Sequence, residues 1–287
     1  MDVGIVVPNA APDIAGDSVL EWARKAEECG FASVGVIGRT VYPSYEELVT
    51  LGAIAGVTES IRLLSSVLVA PAREPVLLAK QAATLDRLSG GRFVMGMGAG
   101  LRADDFVATG ARFDNRGDRF DTMLATMHAL WRGEPPPEGG MHAVCPPPVR
   151  GRVPIYFGTL TNSLRTVRRI ARWGEGYMAV GTPEMVDPII AALRDAWKAE
   201  SRDGNPRIIG ATYFSLGDEE EAERNIHAYY DNFFPELGAA AIGAMPRTAK
   251  HAKRMLEFYR DAGYDEFNFS AAAADPDQVE RLAEAVL

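Results

Sequence analysis

Glycine-rich and hydroxyl-rich segments occur at two places where this chain can contact a planar or anionic ligand. Gly98-Ala99-Gly100 follows an apolar run and, with Ala103, matches the relaxed dinucleotide-binding fingerprint. That fingerprint requires a helix to begin at once, so that its N–H groups face a pyrophosphate. Residues 104–117 are instead polar and lack helical periodicity, so we interpret them as a loop. The glycines therefore indicate room for a planar ligand rather than a Rossmann site.

The second segment, Gly158-Thr159-Leu160-Thr161-Asn162-Ser163, lies between a predicted strand and a predicted helix. Thr161 or Asn162 can cap that helix, and the free N–H groups of its first turn can then bind a phosphate. An ordinary capped helix start explains the same residues equally well. The segment is thus a candidate anion site with a purely structural alternative.

Acid–base candidates are weaker. Asp104 and Asp105 form a carboxylate pair that we expect in an exposed loop, and Arg39 and Tyr42 are better placed because they lie just past a predicted strand end. We interpret the histidines as surface residues: His128, His142, His227 and His251. No residue is assigned a catalytic role.

The elements that must position these residues alternate between strand and helix along the chain. The predicted strands span residues 3–7, 32–37, 61–69, 92–97, 153–157, 176–180, 207–215 and 266–270. The predicted helices span residues 19–26, 45–57, 75–88, 118–131, 163–172, 184–200, 218–234 and 247–262, with a last helix from residue 276. Strict alternation implies a parallel sheet, and eight such units close a barrel. We predict one (β/α)8 TIM barrel over residues 1–287, with its site at the carboxyl ends of the strands.

Composition excludes several classes of protein. The 287 residues are 47% hydrophobic and 24% charged, which is enough for a large core, and the net charge of -9 argues against a nucleic-acid partner. There is no apolar run of membrane-spanning length, and the N-terminus does not resemble a signal peptide. Cys29 and Cys145 fit no metal-ligand spacing. We expect a soluble cytoplasmic protein that acts on a small molecule without a metal.

Long segments of the chain resemble the bacterial luciferase-like monooxygenases, the flavin- and deazaflavin-dependent oxidoreductases. The resemblance is carried by EPVLLAKQAATLDRLSGGRFVMGMGAGLRADDFVATG and RGDRFDTMLATMHALWRGE, and it extends to VYPSYEELVTLGAIAGVTESIRL before them and VPIYFGT and ARWGEGYMAV after them. It implies a TIM barrel that binds reduced FMN or the deazaflavin F420 at the strand carboxyl ends, often as a homodimer.

The resemblance also implies where the cofactor is bound. It places a non-prolyl cis peptide at Ser66-Val67, beneath the cofactor ring, in the third predicted strand. It further implies that the loops after the fourth and fifth strands approach the ring, the ribityl chain or the phosphate. The implied cofactor-binding residues are Ser66, Val67, Gly98, Ala99, Gly100, Gly158, Thr159, Leu160, Thr161 and Asn162, and Asn9, Arg39 and Tyr42 are candidates for the substrate pocket.

Two departures from the family pattern leave two functions open. Many relatives have an acidic residue after the second strand, where this chain has Gly38-Arg39-Thr40, and many have paired glycines where it has Thr159-Leu160-Thr161. The first function is a redox enzyme in which reduced FMN activates O2 or the deazaflavin passes a hydride; the deazaflavin is slightly favoured. The second is a flavin-binding barrel that has lost its chemistry.

Two predicted helices contain more apolar residues than one core-facing stripe requires. These are Leu48, Leu51, Ile54 and Val57 on the first helix, and Val76, Leu77 and Leu88 on the second. We expect them to form an outer patch that supports a homodimer. Packing between neighbouring helices of the ring is the alternative.

Overall fold

The computed structural model describes residues 1–9, 11–12, 14–137, 139–140 and 142–287, in which strands and helices alternate. The strands are β1 Asp2–Val6, β2 Ser33–Val36, β3 Arg62–Ser65, β4 Leu68–Val69, β5 Phe93–Gly98, β6 Ile155–Gly158, β7 Gly176–Ala179, β8 Arg207–Phe214 and β9 Glu266–Ala271. The helices are α1 Gly16–Glu28, α2 Glu47–Ala55, α3 Pro75–Leu88, α4 Ala103–Thr109, α5 Arg116–Trp131, α6 Leu164–Trp173, α7 Pro183–Ala199, α8 Glu219–Tyr230, α9 Pro235–Ala244, α10 Ala249–Asp261 and α11 Gln278–Val286.

All strand pairs are parallel, and the sheet closes into a barrel. β1 pairs with β2 and with β9, and β3 pairs with β5 through Leu63 opposite Phe93. β3 and β4 together form the third barrel strand, since only the cis peptide Ser66-Val67 separates them. The predicted (β/α)8 barrel and the implied cis peptide are both confirmed.

The main core lies between the barrel and the surrounding helices. Outward-facing strand residues such as Ile5, Val34 and Phe93 are fully buried. In α1 the apolar residues Val19, Trp22, Ala23 and Ala26 recur at helical spacing and are buried against the barrel. Helix periodicity therefore predicts correctly which face of α1 packs inward.

Inside the barrel, glycine allows strands to approach closely. A Cβ atom added to Gly96 would lie 1.9 Å from the Ser65 carbonyl oxygen and 2.7 Å from the Met178 sulfur. Ser65 Oγ also donates a hydrogen bond to the Gly96 carbonyl at 2.9 Å. β3 and β5 can therefore meet below the cis peptide only because residue 96 has no side chain.

Two helices differ from the prediction. Residues 104–117 were interpreted as a loop, but α4 occupies Ala103–Thr109; that prediction was wrong. Phe106 is its only buried apolar residue, so the segment has no periodic stripe to detect. The helix predicted at 218–234 ends at Tyr230, and a separate helix, α9, follows, with only Gly238 buried.

The predicted outer patch is present in part: Leu77 and Leu88 are exposed as expected, whereas the predicted residues of α2 are not its exposed ones. Leu48, Leu51 and Ile54 are buried, because α2 packs broadly against β2, β3 and α3, so their placement on the outside was wrong. Val49, Leu77 and Leu88 are 73%, 55% and 76% exposed. The outer apolar surface of α2 and α3 is thus built on these three residues.

No helix in the described part of the chain is both long and apolar enough to cross a bilayer.

Candidate active site

The carboxyl ends of three neighbouring strands bring four of the implied cofactor-binding residues together. Val67 follows the cis bond after β3, and Gly98 at the end of β5 pairs with Gly158 at the end of β6. A Cβ atom on Gly98 would lie 3.2 Å from Val67 Cγ2, and one on Gly158 would lie 3.3 Å from Val67 Cγ1. We call Ser66, Val67, Gly98 and Gly158 the glycine shelf. Gly98 and Gly158 add no side chains to this surface, and Val67 lies against both of them.

The residues after β5 turn away from the shelf toward α4. Gly100 has a φ of +79°, and a Cβ atom there would lie 2.6 Å from Val69 and 2.9 Å from Phe106. Its carbonyl accepts a hydrogen bond from Arg116 Nε at 3.1 Å. Ala99 and Gly100 are half-buried. The loop is therefore held in one conformation and remains accessible to a ligand.

The loop after β6 is ordered by its own hydroxyl groups. Ser163 Oγ accepts from the Thr166 N–H at 3.3 Å and caps α6, so the expectation that Thr161 or Asn162 is the cap was wrong. The cap position lies one or two residues later than predicted. Thr161 Oγ1 instead accepts from the Ser163 N–H, and Thr159 Oγ1 accepts from the Thr161 N–H, both at 3.2 Å.

This loop has the properties of an anion site. Leu160, Thr161 and Asn162 are exposed, and α6 begins directly after Ser163. First-turn N–H groups have no acceptor within their own helix, and Ser163 satisfies only the one at Thr166. Arg165 in the same turn adds a cation, although it is ion-paired with Asp118 and Asp121.

A second group of residues surrounds two arginines next to the shelf. Arg39 follows β2 and is 8% exposed; its Nη2 atom lies 3.1 Å from Asp104 Oδ2, and its Nη1 donates to the Tyr229 carbonyl at 3.4 Å. Arg102 Nη2 donates to the same carbonyl at 3.1 Å. Both guanidinium groups lie over aromatic rings. We call the set the arginine–aromatic cluster: Arg39, Arg102, Tyr42, Tyr213, Tyr229, Tyr230, Phe233 and Phe234.

Three tyrosines of this cluster, Tyr42, Tyr213 and Tyr229, have raised pKa values. Burial, with Tyr230 nearby, raises the pKa of Tyr229 to about 12, and burial raises the pKa of Tyr213 well above its usual value. Burial also raises the pKa of Tyr42, although Arg39 and Arg102 oppose the shift. At neutral pH these phenols can donate hydrogen bonds but cannot act as bases.

Asp104 and Asp105 do not form the exposed carboxylate pair that we expected. Asp104 binds Arg39, and Asp105 is buried, where its Oδ1 accepts from the N–H groups of Thr40 and Val41 at 3.0 and 2.8 Å. The expectation was wrong because α4 turns both carboxylates toward the loop after β2. Their role is to join the loops after β2 and β5.

Asn9 joins a further pair of loops. It is fully buried, and its Nδ2 donates to the Ile37 carbonyl at 2.8 Å and to the Tyr45 carbonyl at 3.0 Å. Arg39 lies 5.4 Å from the Tyr42 ring centre. The three candidate pocket residues therefore all lie at strand carboxyl ends, with Asn9 and Arg39 engaged by protein groups.

The histidines do not join this site as a general base would. His227 is exposed and lies 3.0 Å from Asp231. His128 is half-buried against Trp131 and Trp173, so its interpretation as a surface residue was wrong; its neighbours in the fold supply two indole rings that helix spacing alone did not reveal.

Sequence reasoning missed the contribution of Arg102 and of the segment after β8. The signal was present as YYDNFF at residues 229–234, two aromatic pairs at the end of a predicted helix. A single helical stripe cannot bury all four rings, which indicates contacts beyond the helix.

The sequence of this chain is similar to that of a known protein family and of two mycobacterial proteins. A family model described as "Luciferase-like monooxygenase" matches residues 1–286. An uncharacterized protein of Mycobacterium tuberculosis is 33% identical over 167 residues, which are 56% of this chain and 59% of the relative. A second uncharacterized protein of that species is 31% identical over 158 residues, 53% of this chain and 54% of the relative. The chain thus spans little more than half the length of these curated relatives.

Solved structures share the fold at low sequence identity. The monooxygenase RslO1 of Streptomyces bottropensis has a TM-score of 0.77 at 20% identity, covering 99% of this chain and 98% of that one. An F420-dependent secondary alcohol dehydrogenase, in complex with an F420-acetone adduct, has a TM-score of 0.79 at 18% identity with the same coverage. The FMN-bound oxygenating constituent of 3,6-diketocamphane monooxygenase of Pseudomonas putida has a TM-score of 0.76 at 15% identity, covering 99% and 96%.

Proposed function

The chain belongs to the luciferase-like monooxygenase family, and on this premise we propose that it is an oxidoreductase using reduced FMN or F420 at the carboxyl end of the barrel. The observation that carries the proposal is the glycine shelf, where Val67 lies against Gly98 and Gly158. A planar ring needs a flat, half-buried surface, and the shelf supplies one beside a loop that can bind an anion.

The residues present fit such a cofactor. Ser66, Val67, Gly98, Ala99 and Gly100 would contact the ring and the chain attached to it. The loop Gly158, Thr159, Leu160, Thr161 and Asn162 would hold the phosphate, together with first-turn N–H groups of α6. When bound, reduced FMN supplies electrons to O2 and reduced F420 supplies a hydride.

The remaining contribution of the chain is to position the substrate and exclude water. Tyr42, Tyr213 and Tyr229 keep their protons at neutral pH and can donate hydrogen bonds to a small organic substrate. The Tyr229 carbonyl accepts from Arg39 and Arg102, which fixes the end of α8 to the loops after β2 and β5. This contact helps to exclude water from the site on the side of those loops.

Cofactor titration tests the proposal. Purified protein is titrated with FMN and with F420, each oxidised and reduced, while absorbance and fluorescence are recorded. We expect one cofactor to bind in the micromolar range, and Gly158→Ala to weaken binding at least about tenfold by crowding Val67. Gly243→Ala is the matched control, because a Cβ atom there meets nothing within 4 Å. If neither cofactor binds, the proposal is wrong.

A second candidate function is cofactor binding without turnover. It is favoured by the loop after β2, which lacks the acidic residue of many relatives and in which Arg39 is buried and ion-paired with Asp104. Stopped-flow reoxidation separates the two functions. A non-catalytic barrel would bind the reduced cofactor and reoxidise it no faster than it reacts in free solution, with or without added substrate.

A further inference from the structure

A cavity of about 930 Å³ lies at the opposite end of the barrel from the glycine shelf. Its lining includes Ser33, Arg62, Arg207 and Glu266, which stand at the first positions of β2, β3, β8 and β9. The amino ends of the strands therefore surround it. The proposed redox function uses none of these residues.

At the amino ends of the strands, this cavity borders a ring of alternating charges. Arg62 Nη2 lies 2.9 Å from Asp2 Oδ2 and 2.8 Å from Glu266 Oε2, and Arg207 contacts the same two carboxylates at 2.5 and 3.2 Å. These arginines hold the pKa of Asp2 below its usual value against the effect of burial. The positive charges of the two arginines equal the negative charges of the two carboxylates, so this ring has no net charge.

The rim carries the excess charge. Arg132, Arg150 and Arg152 line it, and among the residues that the structure describes Glu175 is the acidic residue that lines the rim. Arg152 is paired with Glu175, and Arg132 with Glu134, which is not part of the lining. Within the described residues Arg150 makes no hydrogen bond or ion pair. A ligand that enters the cavity thus meets more positive than negative charge.

The proline-rich segment fixes Arg150 and Arg152 at the rim. Buried Asp86 at the end of α3 accepts from the Val149 N–H at 2.7 Å. The chain then turns at Gly151, whose N–H donates to the Pro148 carbonyl at 3.0 Å and whose φ is +74°. The backbone that carries both arginines is therefore fixed in position without a ligand.

His128 gives independent evidence of a positive environment with unused hydrogen-bonding capacity. It lines the cavity, and its Nε2 is buried with no partner among the described residues. Burial, followed by the charges of Arg152 and Arg132, lowers its pKa to about 4. An anion in the cavity would offset the charges of Arg152 and Arg132 and offer an acceptor to the ring.

We propose that this cavity binds a small polyanion with at least two phosphate or carboxylate groups. Arg150 presents paired N–H donors that match such oxygens, and Arg132 and Arg152 add positive charge beside it although each is ion-paired. The volume lies in the range of small-molecule sites. A chain with a net charge of -9 attracts anions only where arginines are concentrated. A cavity of this volume suits a small molecule rather than a nucleic acid.

Calorimetry at low ionic strength tests the proposal, with pyrophosphate and citrate as probes that separate phosphate from carboxylate chemistry. We expect at least one probe to bind with a dissociation constant below about 1 mM, and Arg150→Gln to weaken binding about fivefold or more. Arg168→Gln, an exposed arginine of α6, is the matched control and should bind like the parent protein.

The phosphate loop is the competing location for the probe, and Thr161→Glu at the other end of the barrel distinguishes the two. Unchanged affinity in Thr161→Glu supports the cavity. The proposal is overturned if neither probe binds, if Arg150→Gln binds as tightly as the parent, or if Thr161→Glu abolishes binding. Thermal melts show that each variant is folded.

Discussion

At the scale of single residues, burial decides what a charged group can do. Arg39 follows a strand end, as a functional residue should, yet it is 8% exposed and held by Asp104 and by aromatic rings. A guanidinium in such surroundings depends on its carboxylate partner. Loss of the carboxylate should therefore lower the free energy of unfolding more for a buried ion pair than for an exposed one.

We expect Asp104→Ala to lower the free energy of unfolding by about 1 to 3 kcal/mol, because it removes a charged hydrogen-bond partner of a buried arginine. Asp114→Ala is the control: Asp114 pairs with Arg112 at 2.6 Å on the open surface and should be dispensable. Urea denaturation measures both. Equal effects in the two variants would mean that burial does not strengthen the Arg39–Asp104 pair.

Thr161→Glu tests the phosphate loop. A carboxylate at this exposed position should repel the cofactor phosphate and weaken cofactor binding at least about tenfold, without loss of stability. Gln81→Glu adds the same charge on the exposed face of α3 and should bind normally. Unchanged affinity in Thr161→Glu would place the phosphate elsewhere.

His128 makes stability depend on pH. Its folded pKa of about 4 lies below the ordinary 6.5, so the unfolded chain takes up this proton first as the pH falls. The contribution of neutral His128 to the free energy of unfolding is fully present above pH 6.5 and is lost as the pH falls toward 4. Between pH 6.5 and pH 4 we expect the free energy of unfolding of the parent to fall by about 2 kcal/mol more than that of His128→Phe. This value is reduced because solvent screens a partly exposed side chain. Urea denaturation at several pH values measures both proteins. If their free energies of unfolding change equally with pH, the pKa of His128 is not lowered.

At the scale of elements, the approach of β3 to β5 depends on one missing side chain. We expect Gly96→Ala to destabilise the barrel by about 3 kcal/mol or more, because the added Cβ atom would lie 1.9 Å from the Ser65 carbonyl oxygen. Gly243→Ala in α9 adds a methyl group where nothing lies within 4 Å and should be tolerated. Thermal unfolding compares them; a Gly96→Ala protein that melts like the parent would show that the strands can separate.

At the scale of the whole molecule, α2 and α3 present an outer surface suited to a second copy. Val49 and Leu77 are largely exposed, and the small residues Gly52, Ala53 and Gly56 lie on the same face of α2 as Val49. Small residues allow close approach between helices. We predict an isologous two-fold homodimer through this face.

Light scattering at micromolar concentration tests the dimer. The parent should have twice the chain mass, and Val49→Glu or Leu77→Glu should shift it to a monomer by burying a charge at the interface. Val107→Glu, at a 79% exposed position of α4, is the control and should remain dimeric. A dimer that survives both substitutions would lie on another surface.

The alternating patterns of the sequence predict the barrel and the strand ends that form the site, although they miss α4 and α9. The family resemblance implied the cis bond at Ser66-Val67. Periodicity placed α1 and α3 because each has a buried stripe. These features depend on neighbours close in the chain. They can be predicted because local patterns encode them.

Only the tertiary structure decided which residues meet. Val67 lies against Gly98 and Gly158 because three strands distant in sequence end side by side, and Asp104 reaches Arg39 across 65 positions. α2 shows the same limit: its spacing identified apolar residues, but burial against β2, β3 and α3 decided that Leu51 faces inward and Val49 outward. Contacts between distant segments depend on how elements pack, which no local pattern specifies.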